Sequence, residues 1–266
     1  MTSEGDLPIA LVTGGSSGIG RACAIRLGET HEVWLTYHRG QAAAEAVVEA
    51  VRRRGGRASA LPLDAGDAGS IRAAHARFVR GQEGRSRPPR LDALIANAGT
   101  FGDGYRFFID MEEEEWDAVW ATNAIGVIRV FKAFRDLLLP GGTVVNVSTI
   151  SAPLGAIGYK SHGHYGASKA AADAFFDAIG DRYAGEGLRC VNLVPGLIDT
   201  RMLHDHFAHE LEAYRAAIPM QRFGEPEEIA RLIARLVSAD PRLPIRRIAA
   251  DGGWLQKGWE RIQAPH

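Results

Sequence analysis

A tyrosine and a lysine spaced by four positions are the side chains of this sequence best suited to proton transfer. In the stretch from Tyr165 to Lys169 (YGASK), the two side chains lie on one face if the stretch opens a helix. An ordinary phenol titrates near pH ~10, so it exchanges protons at neutral pH only if a neighbouring cation stabilises its phenolate. We therefore expect Lys169 to lower the pKa of Tyr165 and to make it a proton donor.

A glycine-rich loop near the amino terminus is the second chemical feature. The apolar stretch Pro8–Thr13 predicts a buried parallel strand, and a helical pattern follows the loop. Gly14 permits a tight turn, Gly18 lets backbone amides approach a pyrophosphate, and Gly20 lets the helix pack against the strand. The loop is predicted to hold a dinucleotide phosphate at the helix N-terminus. Its predicted binding residues are Gly14, Ser16, Ser17, Gly18 and Ile19.

These two features, in this order, resemble the short-chain dehydrogenase/reductase family, in particular its 3-oxoacyl-thioester reductases. Further stretches match the family's pattern: Asp64-Ala65, Asn97-Ala98-Gly99, Asn146-Val147-Ser148-Thr149, the segment 195–200 (PGLIDT), and Gly252-Gly253 near the carboxyl end. The resemblance covers nearly the whole chain. It implies one doubly wound α/β domain of Rossmann type, with a seven-stranded, mainly parallel sheet and helices on both faces.

The resemblance also implies catalytic roles. Thr149 occupies the position whose hydroxyl holds the substrate carbonyl, with Ser148 and Ser151 as alternatives. Asn123 corresponds to the asparagine that kinks a helix and holds a water against the catalytic lysine. Lys169 is implied to anchor the nicotinamide ribose as well as acting on Tyr165.

The same comparison implies further contacts with the cofactor. Asp64 and Ala65 are implied to lie beside the adenine, and a flat cofactor is implied to pass over Asn97, Ala98 and Gly99. The turn after the sixth predicted strand is implied to orient the nicotinamide carboxamide. Its implied contact residues are Pro195, Gly196, Ile198 and Thr200.

The end of the second predicted strand bears on the choice of cofactor. Relatives that prefer NAD have an aspartate at the position of Tyr37, whereas this chain has Tyr37-His38-Arg39 and no acid. A guanidinium at Arg39 can pair bidentately with a 2'-phosphate. NADP(H) is therefore the expected cofactor, with His38 and Arg39 as contacts. In the alternative, Arg39 is only a solvated loop cation and NAD(H) binds as well.

Composition excludes several classes of function. The chain has 46% hydrophobic and 24% charged residues and a net charge of -1, which offers no basic surface for nucleic acid. No stretch approaches ~18 consecutive apolar residues, and the start lacks the pattern of a signal peptide. With Cys23 and Cys190 both in apolar surroundings, we expect a soluble cytoplasmic protein without disulfides. His204, His206 and His209 do not share one helix face, so no metal site is expected.

The expected domain comprises residues 1–266, with terminal tails at 1–7 and 255–266 and a substrate lid at 199–222. The expected activity is reduction of a ketone to a secondary alcohol on a small-molecule substrate, including carrier-bound acyl groups or polyketides. Alternatives are a secondary-alcohol dehydrogenase and a non-catalytic cofactor sensor. The predicted helix from Glu112 to Leu139 resembles the family's subunit-pairing element, which implies a homo-oligomer, either a dimer or a homotetramer.

Overall fold

A seven-stranded sheet forms the centre of the molecule. The computed structural model describes residues 7–102, 108–154, 163–240 and 243–258. All strand pairs are parallel, in the order β3-β2-β1-β4-β5-β6-β7. The strands are β1 (Ile9–Val12), β2 (Glu32–Tyr37), β3 (Arg57–Pro62), β4 (Leu91–Ala96), β5 (Leu138–Val147), β6 (Arg189–Pro195) and β7 (Arg247–Ala250).

Helices connect the strands throughout the described ranges. The α-helices are α1 (Gly18–Leu27), α2 (Gln41–Arg52), α3 (Ala68–Arg80), α4 (Glu113–Trp120), α5 (Val127–Phe134), α6 (Ser151–Leu154), α7 (Gly163–Tyr183), α8 (Arg201–Phe207), α9 (Leu211–Ala217) and α10 (Pro226–Ser238). Two segments are π-helical, Ala121–Gly126 and Trp254–Gly258. Short 3-10 helices cover Phe108–Asp110, Arg135–Leu137 and Ala184–Glu186.

Alternate residues of the strands feed two separate apolar cores. Ala10 and Val12 of β1 pack in a cluster with side chains of α1, α2 and α10. Ile9 and Leu11 point to the opposite face and pack with α3, α5 and α7. Successive side chains of a strand point to opposite faces, so a strand covered on both sides has to be apolar throughout. This confirms the predicted doubly wound α/β fold with seven strands.

The strand order places a crevice at the middle of the sheet. β1 pairs with β2 on one side and with β4 on the other, so the chain proceeds outward in opposite directions from this point. Loops that leave the carboxyl ends of β1 and β4 therefore separate, and ligands of open α/β sheets bind in the gap. The glycine loop and Asn97-Ala98-Gly99 both emerge here.

The fourth crossover differs from its prediction. A single helix was expected from Glu112 to Leu139, but α4 and α5 are separated by a π-helical turn and the helical segment ends at Leu137. β5 then begins at Leu138, directly after this helical segment, because Leu138 already pairs with Leu91. An irregularity of register follows, and Gly141 there has a φ of 83°.

Two further expectations concern membrane-spanning segments and the state of the two cysteines. In the described part of the chain, none of the helices has the length and apolar character needed to cross a membrane. Cys23 and Cys190 are both buried, and neither is joined in a disulfide. Burial raises the pKa of both thiols. The two cysteines therefore act as small core residues, as the sequence predicted.

Candidate active site

The glycine loop is fixed by the second strand. The backbone amide of Gly15 donates to the Thr36 carbonyl at 2.8 Å, and that of Gly14 donates to the Thr36 hydroxyl at 3.2 Å. Gly14 and Gly18 have left-handed φ angles of 64° and 49°, which favour glycine. A Cβ at Gly20 would lie 2.2 Å from the Gly14 carbonyl oxygen. Gly20 therefore lets the first turn of α1 approach the glycine loop closely, and the predicted contact with the strand itself stays a prediction.

Thr13 and Asn97 join this loop to the end of β4. The Thr13 hydroxyl accepts hydrogen bonds from the backbone amides of Asn97 and Ala98, both at 3.0 Å. The Asn97 amide donates in return to the carbonyls of Thr13 at 2.9 Å and Gly14 at 3.2 Å. The side chain of Asn97, which was predicted to contact a cofactor, holds the two loops together. Thr13 was not singled out from the sequence, although it directly precedes the first glycine.

The first turn of α1 has the features of an anion site. Ser17 precedes the helix, and its side chain makes no capping hydrogen bond. The amides of the first turn keep their donors directed out of the helix end, where the helix dipole also favours negative charge. Ser16, Ser17, Gly18 and Ile19 all line the same cavity. The residues present here therefore fit a pyrophosphate.

This cavity has a volume of about 420 Å³ and brings together most of the predicted site residues. Those in its wall are Gly14, Ser16, Ser17, Gly18, Ile19, His38, Asn97, Ala98, Gly99, Thr149, Tyr165, Lys169, Pro195, Gly196, Ile198 and Thr200. Ser148 and Ser151, the alternatives to Thr149, also line it. Four predicted residues, Arg39, Asp64, Ala65 and Asn123, lie outside this lining.

Tyr165 and Thr149 meet at the cavity wall. Both residues line the cavity, and the Thr149 Oγ1 accepts a hydrogen bond from the Ser151 amide at 3.2 Å. Burial raises the pKa of Tyr165 to about 12, and the Thr149 hydroxyl opposes this rise. The predicted lowering of the Tyr165 pKa is therefore wrong for the free protein, because desolvation outweighs the stabilisation of the phenolate.

Lys169 lines the same cavity as Tyr165, and its ammonium is hydrogen-bonded to the end of β5. The Nζ atom donates to the Val147 carbonyl at 2.9 Å, and the residue is only 3% exposed. Burial lowers the pKa of Lys169 to about 8, and the Asp173 carboxylate opposes this fall. The Lys169 ammonium and the Tyr165 phenol thus line one cavity. Asp173 acts on the pKa of the lysine, and Thr149 acts on that of the tyrosine.

Asn123 lies in the π-helical turn and is fully buried. Its side chain accepts from the Thr100 amide and donates to the Thr100 carbonyl, each at 2.8 Å, and it donates to the Ser168 hydroxyl at 3.1 Å. The predicted helix distortion is confirmed. The side-chain amide itself fixes the segment after β4 and the helix that carries Tyr165, and the water relay stays a prediction.

The two serine alternatives have different surroundings. Ser148 is 5% exposed, and its Oγ has no hydrogen bond of good geometry within the described residues. The Ser151 hydroxyl lies at the limit of hydrogen-bond distance from Thr149, 3.5 Å between the two oxygens. Of these three hydroxyls, that of Thr149 is the one that lowers the pKa of Tyr165 within the described residues.

At the adenosine end, His38 and not Arg39 reaches the cavity. The His38 Nε2 lies 3.4 Å from the Asp64 Oδ2, and the Asp64 Oδ1 accepts from the Gly66 amide at 2.9 Å. Arg39 is exposed. It follows His38 directly, so its flexible side chain begins at the rim of the site.

The opposite end of the cavity has an aromatic wall that the sequence did not indicate. The Phe101 ring lies 4.9 Å from the Tyr165 ring and 4.5 Å from the His206 ring, measured between centroids. Phe207 contacts Phe101 edge to face at 5.6 Å. His206 and Phe207 belong to α8, within the predicted lid, and the hydroxyl of Thr200 caps this helix by accepting from the Leu203 amide. The position of Phe101 immediately after the Asn97-Ala98-Gly99-Thr100 stretch was the available signal.

Other candidates lie elsewhere or outside the described ranges. The His204 Nε2 lies 2.6 Å from the Asp199 Oδ1. His164 is fully buried, and its Nε2 lies 3.0 Å from the Phe101 carbonyl oxygen. Most of both predicted tails lies outside the described residues.

Comparison with known proteins agrees with this geometry. A family model described as enoyl-(acyl carrier protein) reductase matches residues 14–254. The chain is 31% identical to a 3-oxoacyl-[acyl-carrier-protein] reductase of Synechocystis, over 88% of this chain and 90% of that protein. A short-chain dehydrogenase from Burkholderia cenocepacia, solved with NADP, has a TM-score of 0.83 and 29% identity, covering 92% of this chain and 96% of its own. The angucycline C-6 ketoreductase LanV with bound NADP has a TM-score of 0.85 and 29% identity, covering 93% and 95%.

The fold and the cavity define the class of doubly wound oxidoreductases with a dinucleotide-type crevice. Within that class, the chain belongs to the short-chain dehydrogenase/reductase family. The resemblance that was predicted from the sequence motifs is thereby confirmed.

Proposed function

We propose that the protein is an NADP(H)-dependent ketoreductase that reduces a small-molecule ketone to a secondary alcohol. The observation that carries this proposal is that Tyr165, Thr149 and Lys169 all line one cavity wall, where the Thr149 hydroxyl acts on the Tyr165 phenol. A reduced carbonyl develops negative charge on oxygen, and that oxygen needs a hydrogen-bond donor and then a proton. Two hydroxyls and a cation on one cavity wall match these needs.

Each residue has a defined part. When bound, NADPH supplies the hydride. The Thr149 hydroxyl donates a hydrogen bond to the substrate oxygen, and the Tyr165 Oη gives its proton to that oxygen. The Lys169 ammonium then stabilises the phenolate that is left. Asn123 holds Thr100 and Ser168 in place behind these groups, so that the reacting atoms meet in a fixed geometry.

The same residues suit a phosphorylated dinucleotide. The free amides at the start of α1 would hold the pyrophosphate, and Ala98, Gly99 and the 195–200 turn would border the nicotinamide. At the adenosine end, His38 offers an imidazole and Arg39 a guanidinium, and the position of Tyr37 carries no carboxylate to repel a 2'-phosphate. Two structural neighbours solved with NADP support this choice.

The proposed function is tested by removing the hydroxyl oxygen of Tyr165. Tyr165→Phe is expected to lower the rate of ketone-dependent NADPH oxidation, followed at 340 nm, to nearly zero. It is expected to leave NADPH binding almost unchanged, because the ring and its contact with Phe101 remain. A 3-oxoacyl thioester and an aromatic polyketide ketone are the first substrates to compare. Turnover by Tyr165→Phe close to that of the wild type would refute the assignment.

The cellular compartment and the oligomeric state of the enzyme are also part of the proposal. Two buried thiols support a reducing, cytoplasmic compartment. A homo-oligomer, a dimer or a tetramer, is proposed from the resemblance of the Glu112–Leu139 segment to the family's subunit-pairing element. Sedimentation analysis of the purified protein measures this state directly.

A further inference from the structure

A buried carboxylate lies behind the candidate proton donor. Asp173 is one turn beyond Lys169 on α7, and it is only 3% exposed. Its Oδ1 accepts a hydrogen bond from the Asn146 Nδ2 at 2.9 Å. A buried charge is strongly disfavoured unless neighbouring groups compensate it, so the surroundings of Asp173 decide whether it acts as an anion.

A polar network connects this carboxylate to the surface. The Asn146 Nδ2 also donates to the Asn192 Oδ1 at 2.9 Å, and the Asn192 Nδ2 donates to the Asp177 Oδ1 at 2.8 Å. Arg247 of β7 lies with its Nη2 3.7 Å from the Asp173 Oδ2 and 3.1 Å from the Asp177 Oδ2. The network therefore supplies amide donors and one exposed cation to the buried carboxylate.

The groups that face Asp173 come from four elements. They are Lys169 and Asp177 on α7, Asn146 on β5, Ser148 just after β5, Asn192 on β6, and Arg247 on β7.

Burial and the neighbouring charges shift the pKa values of Asp173 and Lys169 in opposite directions. Burial raises the pKa of Asp173, whereas the Ser148 hydroxyl and the Arg247 and Lys169 cations lower it, and Asp177 adds to the rise. Burial lowers the pKa of Lys169, and Asp173 is the group that opposes this fall. An anion one turn away thus counteracts the desolvation of the ammonium.

We propose that Asp173 is a positioning residue for the reaction, whose buried carboxylate, one turn further along α7 and outside the cavity lining, keeps Lys169 in its ammonium form. The inference rests on the proposed function, since it matters for turnover only if the Lys169 charge does. It goes further by assigning a role to a residue that is outside the cavity lining. A purely structural role would require only the hydrogen bond to Asn146.

The variant Asp173→Asn separates these two roles. The asparagine oxygen can still accept from Asn146, while the negative charge is gone. The lysines of the sequence are Lys132, Lys160, Lys169 and Lys257, so a lysine ε-carbon NMR titration resolves few signals, and Lys169→Arg assigns the relevant one. In Asp173→Asn the pKa of Lys169 is expected to fall by about one unit, because an opposite charge has been removed.

The matched control is Asp177→Asn. This residue is on the same helix and in the same network, and its side chain is 44% exposed. It is expected to leave the Lys169 titration at its wild-type position, because its charge is exposed to water and is not among the causes of the Lys169 shift.

The pH profile provides the second measurement. A catalytic ammonium is lost as the pH rises through its pKa, so kcat/KM for ketone reduction falls on the alkaline side. In Asp173→Asn this alkaline limb is expected to move to lower pH by about one unit, with near-normal activity below it. Melting curves establish whether the variant is folded, and Asp173→Ser is the second variant without charge if it is not.

The outcomes distinguish the two proposals. An unchanged Lys169 titration in Asp173→Asn overturns the inference, and so does a loss of turnover at every pH without a shift of the limb. If Tyr165→Phe keeps full turnover, or the wild type reduces no ketone, the proposed function fails. The NMR titration still decides the effect of Asp173 on Lys169 in that case.

Discussion

At the scale of single residues, the pKa of Tyr165 determines the protonation state in which the free protein meets its substrate. Burial raises this pKa to about 12, so the phenol carries its proton throughout the neutral range. A reductase needs the protonated form in its resting state, whereas an alcohol dehydrogenase needs the phenolate. The Thr149 hydroxyl, which lowers this pKa, and the Lys169 ammonium, which we propose stabilises the phenolate, become important after the proton has left.

Thr149 provides a test at this scale, since a hydroxyl can be removed without loss of volume. Thr149→Val is expected to lower kcat by a factor of about 10²–10³, as for the loss of one donor to a developing oxyanion. Thr149→Ser keeps the hydroxyl and is the matched control, with most of the activity retained. Steady-state kinetics with NADPH and one ketone compare the two variants. Equal rates for them would show that the threonine hydroxyl has no part in the reaction.

At the scale of elements, the π-helical turn between α4 and α5 connects the sheet with the site. It presents Asn123 to Thr100 and Ser168, and it approaches the loop after β3 very closely at Gly126. A Cβ at Gly126 would lie 2.3 Å from the Ala65 carbonyl oxygen and 2.7 Å from the Ala121 carbonyl oxygen. Glycine at this position therefore allows the turn to lie where Asn123 can reach its partners.

Gly126→Ala tests this packing. The added methyl group meets backbone atoms that cannot rotate away, so the free energy of unfolding is expected to fall by about 1–3 kcal/mol or more. Gly185→Ala is the control, because a Cβ there would meet nothing within 4 Å. Its effect is expected to stay within about 0.5 kcal/mol. Urea unfolding of the three proteins measures the difference, and equal midpoints for both variants would contradict the account.

The elements also show what sequence patterns can and cannot predict. The strand predicted over Pro8–Thr13 is observed as β1, because an apolar stretch that stops at glycines is a local signal. The start of β5 at Leu138 depends on pairing with Leu91, which no local pattern reveals. The exchange of hydrogen bonds between Asn123 and Thr100 likewise joins residues 23 positions apart.

The same limit applied to the site. Tyr165 and Lys169 could be placed in one cavity from their helical spacing. The sign of the Tyr165 pKa shift could not be predicted, because it depends on how much water the surrounding side chains exclude. Asp173 repeats the spacing of four from Lys169, so its proximity could have been read from the sequence. The burial of Asp173 and its ion pair with Arg247 of β7 could not be predicted from the sequence.

At the scale of the whole molecule, the cavity joins the two halves of the sheet. One wall comes from the loop after β1 and the end of β2, and the other from the segments after β5 and β6. A dinucleotide that spans this cavity would contact both halves of the sheet at once. None of these contacts exists in the unfolded chain. Binding should therefore stabilise the entire domain by mass action.

Thermal unfolding with NADPH and with NADH tests this coupling together with the cofactor preference. At equal concentrations NADPH is expected to raise Tm more than NADH, and a ligand at 100 times its Kd adds about 2.7 kcal/mol of stability. His38→Ala and Arg39→Ala are each expected to reduce the difference between the two cofactors, because each removes a residue that we propose contacts the 2'-phosphate. Arg53→Ala, an exposed arginine at the end of α2, is the control and should keep the wild-type difference. Equal Tm shifts with NADPH and NADH in the wild type would leave the 2'-phosphate without a binding partner and would contradict the NADP(H) preference.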